Sequence, residues 1–229
     1  MKSKQSITKK QNSTRIGFSL IELMTVVSIM AILTAVATPG IQRAMMNAKQ
    51  GATLSNARNI VIGLRSYAQD YDGMFPVTDL EGEEFDSSNA AFRELLPEYI
   101  DSERIFAISR SAWGPKADGR IDEPEDRLEA GENHFAYIAG LDSTSRSDWP
   151  LVIDGTNGSG LYTKTKGTQG GCWEGLKAIV VTVGGSAQAI RLLGDKDARH
   201  IPRVGYPDEN ALEVEAYMGE IAKLLDPED

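Results

Sequence analysis

Residues 18–38 read FSLIELMTVVSIMAILTAVAT, a run of 21 residues whose one charged side chain is Glu22. Crossing a bilayer as a helix takes about 20 predominantly apolar residues, so this run predicts a single membrane span from Phe18 to Thr38. Five basic residues precede it, Lys2, Lys4, Lys9, Lys10 and Arg15, and no carboxylate stands among them. After Glu22 the next acidic residue is Asp70. Cytoplasmic flanks carry an excess of Lys and Arg, which predicts a cytoplasmic N-terminus and a translocated body.

Glu22 breaks the apolar pattern. An intramembrane carboxylate is costly and usually has a partner, with insertion scales giving about +2.5 to +3.5 kcal/mol near the bilayer centre. No Lys, Arg or Asp occurs between Phe18 and Gln42, so the chain supplies no cation at helical spacing. The expected counter-charge belongs to another molecule.

Gly17-Phe18-Ser19-Leu20-Ile21-Glu22-Leu23, placed behind a basic leader, resembles the processing motif of type IV prepilins and of the pseudopilins of type II secretion. The resemblance covers about the first quarter of the chain. It implies that a prepilin peptidase cuts between Gly17 and Phe18 and that the new amine of Phe18 is methylated. It also supplies the missing cation, the α-amino group of an adjacent subunit pairing with Glu22 during assembly. Opposite charges in a low dielectric satisfy each other where neither stays alone. Pro39 matches the proline that the family tends to carry at this depth, where loss of one hydrogen bond bends or loosens a helix. The partners implied are copies of this chain, other pilin-like subunits, the peptidase and an inner-membrane assembly platform. The filament would stand in the periplasm or at the cell surface.

Two plainer explanations meet specific obstacles. Ala35-Val36-Ala37 satisfies the A-x-A pattern of a secretory signal, but Glu22 would then lie inside the apolar region and Pro39 would be second after the cut. An uncleaved anchor accounts for the hydrophobicity and leaves Gly17, Phe18 and Glu22 together unexplained. The alternatives to a secretion pseudopilin are a surface pilin for adhesion, motility or DNA uptake, and an anchored ligand-binding or enzymatic domain. A pseudopilin is favoured because many surface pilins pin a C-terminal loop with a cysteine pair, and this chain has Cys172 alone.

The bulk numbers agree with an anchored domain. The chain has 229 residues, 25% of them charged, with a formal net charge of −9, an ordinary composition for a folded protein. Subtracting the five positive charges of the leader from −9 leaves −14 from Phe18 onward. Binding to DNA depends on Lys and Arg neutralising phosphates, so nucleic acid is not an expected partner. With one cysteine, neither an intramolecular disulfide nor a thiolate metal cage can form.

Beyond the span, Ile41, Met45, Ala48, Ala52, Ile60, Val61, Leu64, Ala68 and Tyr71 recur at spacings compatible with one helical face. Asp72-Gly73 followed by Pro76 is a stop signal. The expectation is one long helix from Phe18 to about Tyr71, interrupted or bent near Pro39. Ser88-Asn89 caps a short helix over Ala90–Leu96, and Ala117–Gly131 is an acidic, exposed loop. Strands are expected at His134–Ala139, Pro150–Ile153, Lys177–Val183 and Ser186–Leu192, the last two joined through Gly184-Gly185 as a hairpin. Glu209–Leu225 fits an amphipathic helix with Leu212, Ala216, Ile221, Leu224 and Leu225 inside. The fold class is α+β and pilin-like: a long N-terminal helix on a small antiparallel sheet, with a C-terminal helix. Its parts are a cleaved leader at 1–17, the span at 18–38, the helix continuing over 39–72 and a periplasmic domain over 73–229.

No enzyme is expected. His134 and His200 lack a diagnostic context, and Gly158-Ser159-Gly160 is a flexible loop and not a nucleophile elbow. No cofactor is expected either, apart from calcium. The crowded acids Asp118, Asp122, Glu123, Glu125 and Asp126 lack EF-hand spacing and read as a solvated loop. Asp195 and Asp197, with His200 close by, are the candidate metal ligands. A calcium site holds a loop near the C-terminal end of the domain in related major pseudopilins.

Overall fold

The computed structural model describes residues 18–78, 82–114, 117–195, 198–219 and 222–228. The chain divides into two compact units, residues 1–46 and 47–229. The first helix, α1, runs from Leu20 to Asp70 and contributes to both. The helix runs on through Pro39 and Gly40, although Pro39 has no N–H to donate along it. In the first unit the apolar side chains of the span lie exposed, among them Leu20, Ile21, Met24, Ile29, Leu33 and Val36. A helix with no polar face can be satisfied only by lipid or by other apolar surfaces.

In the second unit α1 turns amphipathic. Thr53, Ala57, Ile60, Val61, Leu64, Tyr67 and Ala68 are buried, a stripe at the three- and four-residue spacing of one helical face. Of the expected positions, Ile60, Val61, Leu64 and Ala68 are inside, whereas Ile41, Met45, Ala48, Ala52 and Tyr71 are exposed. Apolar spacing marks a face without saying where along the helix its partner begins. The helix stops where Asp72 (φ 50°) and Gly73 (φ 86°) turn left-handed, and the Gly73 amide bonds back to the Ala68 carbonyl at 2.7 Å. This arrangement satisfies a carbonyl that the helix end would orphan.

The partner of α1 is a five-stranded antiparallel sheet. Its strands are β1 (Phe135–Ala139), β2 (Pro150–Asp154), β3 (Lys177–Thr182), β4 (Ala187–Arg191) and β9 (Lys223–Leu225), in the order β4-β3-β2-β1-β9. β1 and β2 are buried at every residue, as strands covered on both faces must be. The expected hairpin is present: β3 and β4 pair from Lys177↔Arg191 to Val181↔Ala187 around Gly184-Gly185. Gly185 has φ 81°, a conformation that glycine adopts at little cost. Arg65 of α1 donates to the Val183 carbonyl at the end of β3, and Lys177 meets Gln50 at 3.5 Å. Two small ribbons complete the strands, β5 (Leu193–Asp195) with β6 (Ala198–His200) and β7 (Pro202–Arg203) with β8 (Tyr206–Asn210).

Three expectations need correction. The C-terminal helix is confined to α3 (Val214–Met218). Gly219 (φ 111°) leaves the helical region, and Lys223–Leu225 pairs with Ala139–Tyr137 as the edge strand. The open edge of β1 needs hydrogen-bond partners, and that need outweighs the weak helical pattern. Leu225 is buried, but Ala216 is exposed; Ile221 lies outside the described residues. The short helix α2 spans Ser88–Arg93, starting two residues earlier than expected, with the Ser87 hydroxyl as its cap on Ala90 N–H. Ala117–Gly131 is not solvated throughout, because Leu128 is fully buried and its amide donates to Glu103 at 3.2 Å.

A buried polar clasp ties these pieces together. Asn133 Nδ2 donates to Ser88 Oγ (2.8 Å), Asn89 Oδ1 (3.0 Å) and the Phe135 carbonyl (3.0 Å), and its Oδ1 accepts from Phe135 N–H (2.9 Å). Asn89 Oδ1 also accepts the Glu228 amide at 3.2 Å, and Asp226 accepts both the amide and the hydroxyl of Thr156, at 2.8 and 2.7 Å. Asp226 and Glu228 are therefore part of the folded structure.

Candidate functional site

The strongest signal in the sequence lies at the start of α1. Gly17 falls outside the described residues. Phe18, the residue expected to follow the cleavage, is 78% exposed. Ser19 immediately precedes the helix, its carbonyl accepts the first intrahelical bond from Leu23 N–H (3.2 Å), and its own amide donates to Glu22 Oε2 at 2.9 Å. Ser19-Leu20-Ile21-Glu22 is thus the S-x-x-E pattern of a capping box, with the glutamate arm formed. Glu22 has a partner in its own chain, although a neutral one, so its negative charge is still uncompensated among the described residues. A carboxylate in the first turn also opposes the positive end of the helix dipole. Down the span, the hydroxyls of Thr25, Ser28, Thr34 and Thr38 donate back to carbonyls three or four residues earlier, which keeps them satisfied away from water.

Of the candidate metal residues, the structure describes Asp195 and His200. Asp195 ends β5 and is exposed, Asp197 lies outside the described residues, and His200 Nε2 contacts the Pro207 carbonyl at 3.2 Å. Among the described residues a different acidic group converges: oxygens of Glu103, Asp118 and Glu132 lie within 4.8 Å of one another. Glu103 accepts the amides of Gly119 (2.6 Å) and Leu128 (3.2 Å); Glu132 accepts those of Asp118 (3.1 Å) and Glu129 (3.0 Å). Those four amides account for the two buried glutamates as loop anchors. Burial and the neighbouring Glu103 push the Glu132 carboxyl up, while Arg120 holds the Asp118 carboxyl down. Sequence spacing of 103, 118 and 132 gave no hint of this meeting.

A second buried acid was also invisible. Asp154 is the last residue of β2, and its carboxyl is buried. Oδ1 accepts from Ile179 N–H at 2.8 Å and from the Tyr162 hydroxyl at 3.3 Å. Burial pushes its pKa up to about 8. Cys172 is partly buried, and burial likewise raises its thiol, which opposes nucleophile activation.

Comparison with known proteins identifies the N-terminal segment. The family described as the prokaryotic N-terminal methylation motif matches residues 12–38, a match consistent with a type IV pilin-like prepilin. No curated protein and no solved structure matches the chain.

Proposed function

We propose that this chain is a structural subunit of a type IV pilus-like filament, of the pseudopilin kind that serves type II protein secretion. One observation carries the proposal: the exposed apolar first part of α1 follows Ser19 with a single carboxylate, Glu22, inside a matched methylation motif. In this reading the precursor inserts with Lys2–Arg15 in the cytoplasm and its domain in the periplasm. Prepilin peptidase removes the leader after Gly17, and the amine of Phe18 is methylated.

Assembly then moves the apolar helix from lipid to a bundle of equivalent helices. Lipid and protein are equally apolar, so packing and hydrogen bonding, more than the hydrophobic effect, must drive the exchange. The incoming amine of Phe18 pairs with Glu22 of a subunit already in place, and a contact that repeats without closing makes a helical polymer. The role is mechanical, without catalysis. The lone Cys172 favours the secretion subunit over a disulfide-pinned surface pilin.

The test is the N-terminal residue of the protein from native membranes, by intact and peptide mass spectrometry. A chain starting at Phe18 and carrying one extra methyl on its amine is the expected result. A chain starting at Met1, or just after Ala37, sinks the filament reading.

A further inference from the structure

The second unit holds a half-open cavity of about 180 Å³ lined by the start of its α1 segment, the turn at 109–113 and the loop at 166–172. It is smaller than the ~300–1,000 Å³ of sites for drug-sized ligands, so it suits a group of a few atoms. Three of its lining residues are cationic, Lys49, Arg110 and Lys166, and none is acidic. That is unexpected in a chain whose formal charge is −14 from Phe18 onward.

The cations are held in different ways. Arg110 is fixed: Nε donates to the Cys172 carbonyl at 2.9 Å, Nη2 pairs with Glu174, and the guanidinium lies 5.9 Å from the Trp173 ring centre. Its Nη1 has no hydrogen-bond partner among the described residues. Lys166, 70% exposed, stands at the mouth and shares Glu174 with Arg110, at 3.2 Å. Lys49 is half-buried, and its ammonium has neither a hydrogen bond nor an ion pair among the described residues. One carboxylate, Glu174, thus answers three cations, leaving a local excess of about two positive charges. A cleft lined by one sign of charge raises the local concentration of anions. The loop that carries Lys166 is built for close approach, since a Cβ on Gly171 would overlap the Thr165 carbonyl oxygen.

We infer that this cavity is a binding site for a small tetrahedral oxyanion, a phosphate or sulfate group, free or at the end of a larger molecule. Donors from three separate chain segments suit a group with acceptor oxygens in several directions, and a preset guanidinium beside lysines is the usual arrangement for phosphate. The inference is independent of filament assembly.

Equilibrium dialysis of the full chain in neutral detergent, at constant ionic strength, tests it with inorganic phosphate, acetate and glucose 1-phosphate. Saturable binding of one phosphate per chain is expected. Lys49→Gln and Lys166→Gln should each weaken it at least about five-fold, and Arg58→Gln, on an exposed part of α1, should leave it unchanged. Equal binding of the ester assigns the group to a larger molecule; binding of inorganic phosphate alone assigns the free ion. Both lysine heads are accessible, so unchanged thermal unfolding of the variants is expected and separates lost binding from lost fold. No saturable binding, acetate binding as tightly as phosphate, or an equal effect of all three substitutions overturns the site.

Discussion

The Ser19 amide donates to Glu22 Oε2 at 2.9 Å, so the one carboxylate of the apolar segment also closes the first turn of the helix that carries it. Two roles of Glu22 can therefore be separated. Glutamine keeps an acceptor oxygen at the third helical position, where Glu and Gln both serve in a capping box, and removes the charge. Glu22→Gln is expected to leave membrane insertion and cleavage intact. It should reduce the filament fraction recovered by pelleting at least about tenfold, equivalent to ~1.4 kcal/mol. Normal filaments from Glu22→Gln would reassign Glu22 to helix capping alone.

Asp154 makes stability depend on pH in a direction opposite to that of a salt-bridged acid. Its folded pKa, about 8, lies above the ordinary 3.8. Between those values the unfolded chain is ionised while the folded chain keeps its proton. The folded state then binds more protons, and stability falls as pH rises. The burial-raised carboxyls of Asp226 and Glu132 act in the same direction. The midpoint of urea unfolding should fall from about pH 4 to about pH 8 and level off above, and Asp154→Asn should flatten part of that slope. Parallel pH curves for the two proteins would count against a protonated Asp154.

Asn133 uses both ends of its amide inside a dry site, joining Ser88, Asn89 and Phe135. Asn133→Ala leaves several buried polar atoms without partners, which costs about 3 kcal/mol in total. A corresponding drop in the urea midpoint, with an unchanged slope, is the expected outcome.

Deleting residues 223–229 removes β9, the acceptor Asp226 and the bond from the Glu228 amide to Asn89. It also bares the edge of β1, and open edges invite pairing with other chains. The truncated protein should lose its cooperative unfolding transition and become sensitive to protease at the sheet, as limited proteolysis would show. A truncated chain as resistant as the full one would mean that the tail decorates a finished sheet.

What sequence alone determined is the local and the periodic. The apolar run, the Gly17–Glu22 motif, the stop at Asp72-Gly73 and the β3–β4 hairpin depend on neighbours within a few positions, where side-chain chemistry directly limits the backbone. The tertiary structure decided whatever joins distant segments. Lys223–Leu225 became a strand because β1 had a free edge, and Ile41 and Met45 stayed exposed although they continue the apolar spacing. The anchors Glu103 and Glu132, the buried Asp154 and the cationic cavity of Lys49, Arg110 and Lys166 unite residues far apart in the chain. Burial and electrostatic fields depend on which surfaces meet, and only the folded chain brings them together.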